Sequence, residues 1–314
     1  MLNRKQSSGF TLLELLVASM VGLVVIAGAY TFYSDGLRSA KRQDVRTDMV
    51  STIQTATAAL NYDLRMAGYH GGAINGRSID RSEIESAGSG CQAWIGDPSW
   101  AIKGEVANSS GSTKCSEIAG LSLESDRLTI AYANHNPVTA GNMHNLAIYL
   151  KHTAGKGELV LGPNRTDLAT EPQGTEYREF NLVMYYIREG NADRPPSLMR
   201  AKLRSDDGGN IVTDEQVIAE GIARFNVGLS TLDDCDVDGC ATVAEEALDG
   251  PVFDSVKNNQ MITAARYELL IQSNQELLPS DYRSNFSLMW GRTASFNDRY
   301  AYEHVKQYVD LRNF

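Results

Sequence analysis

Three sets of residues in this 314-residue chain have types and spacings that can do chemistry. The first is Glu14, the only charge in the run Phe10–Tyr33, FTLLELLVASMVGLVVIAGAYTFY. A carboxylate among so many apolar neighbours needs a cation or a donor, because an unpaired charge is costly to remove from water. The second is four cysteines in two close pairs, Cys91 with Cys115 and Cys235 with Cys240. The third is the acidic stretch Asp233–Glu245 around the second pair. Counted from Asp234, it has acids at positions one, three and five (Asp234, Asp236, Asp238), Gly239 at six, Cys240 at seven and Glu245 at twelve. That order satisfies a calcium-loop template, in which a divalent cation relieves the mutual repulsion of the carboxylates. The alternative is a solvated acidic loop closed by a Cys235–Cys240 disulfide, which would pinch the loop across its ligand positions. No helical pattern leads into Asp234.

Other reactive constellations are missing. The sequence contains no P-loop, no G-x-G-x-x-G, no H-E-x-x-H and no G-x-S-x-G. Its five histidines, His70, His135, His144, His152 and His304, are scattered. With 29 Lys+Arg against 39 Asp+Glu the formal charge is −10, and no Lys/Arg block interrupts the acidic balance. Nucleic acid is therefore not an expected partner, since phosphate binding needs clustered cations. An anchored enzyme remains as the competing class of function.

The elements that must position these residues begin with the apolar run. As a helix, Phe10–Tyr33 would reach roughly 36 Å, enough to cross a hydrocarbon core of about 30 Å. Only MLNRKQSSG precedes it, so a small residue, Gly9, stands ahead of the apolar stretch rather than after it. A secretory signal has the reverse order. Apolar residues then recur at Val45, Met49, Ile53, Ala56, Leu60 and Leu64, spaced by three or four, on one face of a continuing helix. No proline occurs before Pro98, and Gly68 with Gly71-Gly72 supplies a stop. One helix over about 10–66 is expected. Gly- and Ser-rich sequence with one short helix should follow to Gly120. Strands are expected near 127–132, 145–150, 158–161, 179–187, 223–229, 264–272, 286–290 and 305–311, without helix-length crossovers, and hence an antiparallel sheet.

The segment Gly9-Phe10-Thr11-Leu12-Leu13-Glu14-Leu15-Leu16-Val17-Ala18 resembles the type IV prepilin signal. The resemblance implies cleavage after Gly9 by a prepilin peptidase, methylation of the new Phe10 amine, and pairing of Glu14 with the amine of a neighbouring subunit. It implies the pilin fold, an α+β architecture with a long N-terminal helix laid on an antiparallel β-sheet head. The chain then divides into a leader at 1–9, a transmembrane and assembly helix at 10–33, an exported amphipathic half at 34–68, and a globular head at 69–314. Val183-Met-Tyr-Tyr-Ile-Arg188, Pro196-Ser-Leu-Met-Arg200, Ile218-Ala-Glu-Gly-Ile222 and Val309-Asp-Leu-Arg-Asn313 further resemble the PilW minor pilins. These are related to the J pseudopilins of type II secretion, which is the alternative reading.

On this resemblance the protein is a minor pilin of pilus initiation or the tip. It would serve pilus biogenesis and so twitching motility or adhesion, and would be no enzyme. Its partners would be other minor pilins, the major pilin, a tip adhesin, the prepilin peptidase and the inner membrane. It would cross that membrane once, with the head in the periplasm, before joining the extracellular pilus. Arg38, Lys41, Arg42 and Arg46 outnumber Arg4 and Lys5, and that count alone favours the opposite orientation. The cysteines and the signal outweigh it. In an oxidising compartment four cysteines admit three pairings. Nearest-neighbour bridges are expected, Cys91–Cys115 stabilising by about 3 kcal/mol through loop closure. No cofactor is expected apart from possible calcium at the acidic loop.

Overall fold

Helix α1 runs without a break over Leu12–Met66, as the lack of proline allows. The structure, a computed structural model, describes residues 11–71, 79–87, 101–105, 118–139, 142–153, 156–164, 170–191, 193–232, 243–246, 261–278 and 283–311. The chain forms two compact units, Met1–Asp48 and Met49–Phe314. In the first, the side chains from Leu12 to Leu37 lie open, with Leu12, Leu13, Leu23, Val24 and Phe32 among the most exposed. In the second, the stripe read from spacing is the buried face: Met49, Ala56, Leu60 and Leu64 lie in the core and Ile53 at its margin, and Ala67 just past the helix is buried with them. The helix ends where glycine permits. Gly68 takes a φ of 75°, the left-handed conformation that closes helix C-termini, and donates its N–H to the Ala131 carbonyl at 3.1 Å.

An eight-stranded sheet is built from β1 (Ile79–Asp80), β2 (Ile102–Glu105), β3 (Arg127–Ala133), β4 (Ile148–Thr153), β5 (Lys156–Leu161), β6 (Glu176–Arg188), β7 (Ser197–Ser205) and β8 (Ile211–Glu220). The thirteen-residue β6 is its spine. It pairs with β3 along one edge, and with β4 and then β7 along the other. All its pairings are antiparallel except β1 with β5. The centre of the sheet is buried on both faces, which is why β3 and β6 read as almost unbroken apolar runs. Tyr132, Tyr185 and Arg200 reach α1 from one face. On the other, Phe180, Leu182, Met184, Tyr186, Met199 and Leu203 pack with Ile84 of the short helix α2 (Ser82–Ala87).

A second, antiparallel sheet follows the order β10 (Val243–Glu246), β9 (Ile222–Leu232), β11 (Met261–Glu276), β14 (Tyr300–Asp310). Tyr267 of β11 donates its hydroxyl to Asn61 of α1 at 2.8 Å, so both sheets bond to the helix. A hairpin of β12 (Ser284–Ser287) and β13 (Thr293–Phe296) supplies Leu288 and Ala294 to a small core with Leu270. Beside Leu270 the buried Glu268 accepts the Met289 N–H at 2.7 Å and pairs with Lys306 at 3.0 Å.

One residue joins the two sheets. Gly221 separates β8 from β9 with a φ of 82°. It donates its N–H to Pro196 and accepts from Gln272, each at 2.7 Å. A Cβ there would stand 2.8 Å from the Gln272 carbonyl oxygen, so the corner requires glycine on grounds of both conformation and space. The helix and the two mostly antiparallel sheets together form an α+β fold of the pilin kind.

Candidate assembly site

Thr11 is the last residue before α1 and Glu14 stands in its first turn, a spacing that lets the two cap each other. Thr11 donates both its N–H and its hydroxyl to Glu14 Oε2 at 3.0 Å, and the Glu14 N–H reaches Thr11 Oγ1 at 3.4 Å. This reciprocal box satisfies donors that the helix start leaves open, and such a cap contributes about 1 kcal/mol. Both Thr11 bonds fall on Oε2. Among the described residues Oε1 has no such bond. A carboxylate in an apolar helix is thus half satisfied by its own turn.

At the other end of α1 a second carboxylate is fully engaged. Asp63 lies on the buried stripe, three residues past Leu60 and four before Ala67. Its Oδ1 accepts the Tyr132 hydroxyl at 2.6 Å, while its Oδ2 accepts the Tyr185 hydroxyl at 2.7 Å and Arg200 Nε at 2.8 Å. The donors come from β3, β6 and β7, so this single residue ties the helix to three strands. Burial, and then the Asp63 charge, pushes both phenols well above the usual tyrosine range, so they remain donors at any physiological pH. Burial opposes the charge on Arg200, but the bond and charge of Asp63 outweigh it and raise its affinity for the proton.

Of the candidate processing, assembly, disulfide and calcium residues, Glu14 is the one whose side chain is described. Gly9 and Phe10, Cys91, Cys115, Cys235 and Cys240, and Asp234, Asp236 and Asp238 lie outside the described residues. Glu245 is on β10, where its backbone pairs with Ser230. The Asp63 cluster was missed by motif reading, because its members are scattered over more than a hundred residues. Its one local signal is a carboxylate occupying an apolar position of a helical stripe.

Residues 4–30 match the prokaryotic N-terminal methylation motif, and α1 is long and apolar enough to cross a membrane by length and composition. Residues 184–313 match the family model of the type IV pilus-assembly protein W. Over that segment the chain is similar to a family of type IV pilus-assembly proteins, and both matches point to pilus assembly. That region holds Tyr185 and Arg200 of the Asp63 cluster, the Gly221 corner and the whole second sheet. Comparison with characterised proteins and with solved structures gives no match.

Proposed function

We propose that this protein is a minor pilin, a structural subunit of the pilus initiation or tip complex, and through it serves pilus biogenesis, twitching motility or adhesion, with no catalytic role. The leader is cleaved after Gly9 and Phe10 becomes the methylated N-terminus. The head faces the periplasm while the helix waits in the inner membrane, and the subunit then passes into the extracellular filament beside other minor pilins and the major pilin. The observation that carries this reading is Glu14, held by Thr11 through one oxygen while the other has no partner among the described residues. A carboxylate inside a membrane costs roughly 2.5–3.5 kcal/mol on insertion scales, and the Phe10 amine of an adjoining subunit would supply the missing cation.

The test is Glu14→Ala in the producing cell. Leader cleavage should proceed normally, and the processed subunit should remain in the membrane fraction rather than enter sheared filaments. Incorporation at the normal level would refute the pairing. Deleting the gene should reduce piliation and twitching. A defect confined to enzyme secretion would instead identify a J-type pseudopilin.

A further inference from the structure

At the end of the apolar run α1 presents Tyr30, Phe32 and Tyr33, all exposed, followed by exposed Arg38, Lys41, Arg42 and Arg46. Aromatic rings collect where hydrocarbon meets headgroup. With Tyr33 at that boundary, Leu12 lies roughly 31 Å below it at about 1.5 Å per residue, which matches the thickness of a hydrocarbon core. The two ends of the open segment therefore fit one bilayer. On the same scale Arg38 stands roughly 7 Å above Tyr33, Lys41 and Arg42 roughly 12–14 Å, and Arg46 roughly 20 Å. Long cationic side chains reach back toward the interface, and a Debye length is about 8 Å, so the first three fall within range of lipid phosphates.

Arg38, Arg42 and Arg46 recur every four residues on one face, and Lys41 lies toward the other with Asp44 and Asp48, so cations stand on both sides of the helix. Asp35 lies 3.8 Å from Arg38 with both side chains mostly in solvent, too loose a pair to neutralise it. Cations on the exported side of a membrane helix run against the usual distribution, and phosphate groups at that surface would offset them.

We infer that Tyr30–Arg42 forms a collar that selects anionic phospholipid headgroups on the side of the bilayer where the head lies. The rings fix the depth of the helix and the cations bind the phosphodiester layer. This inference rests on the membrane-spanning reading above, and its test separates the two. The full chain carrying Tyr33→Trp is reconstituted in phosphatidylcholine bilayers containing brominated phosphatidylcholine or brominated phosphatidylglycerol. The parent chain, with Trp94, Trp100 and Trp290, serves as the fluorescence blank. The brominated anionic lipid should quench the introduced tryptophan with a relative binding constant roughly two- to fivefold above that of the zwitterionic one. The preference should vanish in the Arg38→Gln, Lys41→Gln, Arg42→Gln triple variant, and shrink in about 0.5 M salt, where the Debye length falls to roughly 4 Å. Equal quenching by the two lipids, or a preference that survives the triple substitution, overturns the collar. Quenching by neither lipid overturns the membrane-spanning reading as well.

Discussion

Asparagine at position 63 would preserve the shape of the carboxylate while removing its charge and one of its acceptor oxygens. The Asp63 side chain is 3% exposed and Arg200 is 18% exposed, so water can replace little of what is lost. Two hydroxyls and a guanidinium converge on the two oxygens. Whichever end becomes the amide nitrogen turns a donor toward existing donors. Losing a charge-assisted bond costs about 1.5–3 kcal/mol, and leaving the partner cation largely buried brings the total to about 3–5 kcal/mol. Tyr185→Phe and Tyr132→Phe, which each remove one neutral donor, should cost about 1 kcal/mol apiece. Paired replacement by Asp63→Leu and Arg200→Met should cost less than the sum of the singles, because no unpaired charge remains. Guanidinium unfolding of the full chain in mild detergent, followed by tryptophan fluorescence, measures all of these. Asp63→Asn within about 0.5 kcal/mol of the parent would refute the reasoning, since that is the range of an unremarkable surface change.

Gly221→Ala should destabilise the head by about 2–4 kcal/mol in the same assay, from left-handed strain plus the 2.8 Å approach to the Gln272 carbonyl. A change below 0.5 kcal/mol would show that the corner between the sheets can relax. Burial against Phe180 pushes His70 down to about 4 from 6.5, so it is neutral when folded and protonates first in the unfolded chain. Its contribution is present above pH 6.5 and is lost as pH falls from 6.5 toward 4, by up to about 3 kcal/mol. His70→Gln should flatten that part of the stability profile, and an unchanged profile would dismiss the effect. Peptide mapping of the purified protein without reductant should recover Cys91–Cys115 and Cys235–Cys240. Calorimetry with calcium should show binding heat lost in Asp236→Asn if the acidic loop is a metal site, and no heat at all if it is not.

Much of the fold was legible because its signals are periodic and local. The stripe through Met49, Ala56, Leu60 and Leu64 placed the buried face of α1, and Gly68 placed its end. β3, β6, β9 and β11 were readable because strands inside a packed head are rich in Val, Ile, Leu and Tyr. β7 and β8 were not foreseen as strands. The inward positions of β7 include Arg200, and β8 is mostly exposed and polar, Thr213-Asp-Glu-Gln216. Their hairpin was marked by its turn instead: Asp206 accepts the N–H groups of Gly208 and Asn210 at 2.9 and 2.7 Å. Glu14 stood out as one charge in an apolar run. Asp63 looked like any polar residue of an amphipathic helix, because its partners are assembled only by tertiary structure.

The two carboxylates of α1 solve the same problem in opposite ways. Asp63 uses both oxygens, on donors from three strands, and can release none without leaving a buried charge unpaired. Among the described residues Glu14 uses one oxygen, on its own N-terminal turn, and sits on a part of the helix that they leave exposed. The first arrangement suits a joint that must hold while a subunit leaves the bilayer. The second suits a contact that must change partners as it does so, because a new donor can arrive at Oε1 before the cap is broken. The effects of substitution should therefore separate. Glu14→Ala should abolish filament entry while leaving the unfolding midpoint of the head within about 0.5 kcal/mol of the parent. Asp63→Asn should lower that midpoint, and a second-site stabiliser of the head should restore filament entry. If Glu14→Ala unfolded the head, or if a restabilised Asp63→Asn chain still failed to enter filaments, this division of labour along one helix would be wrong.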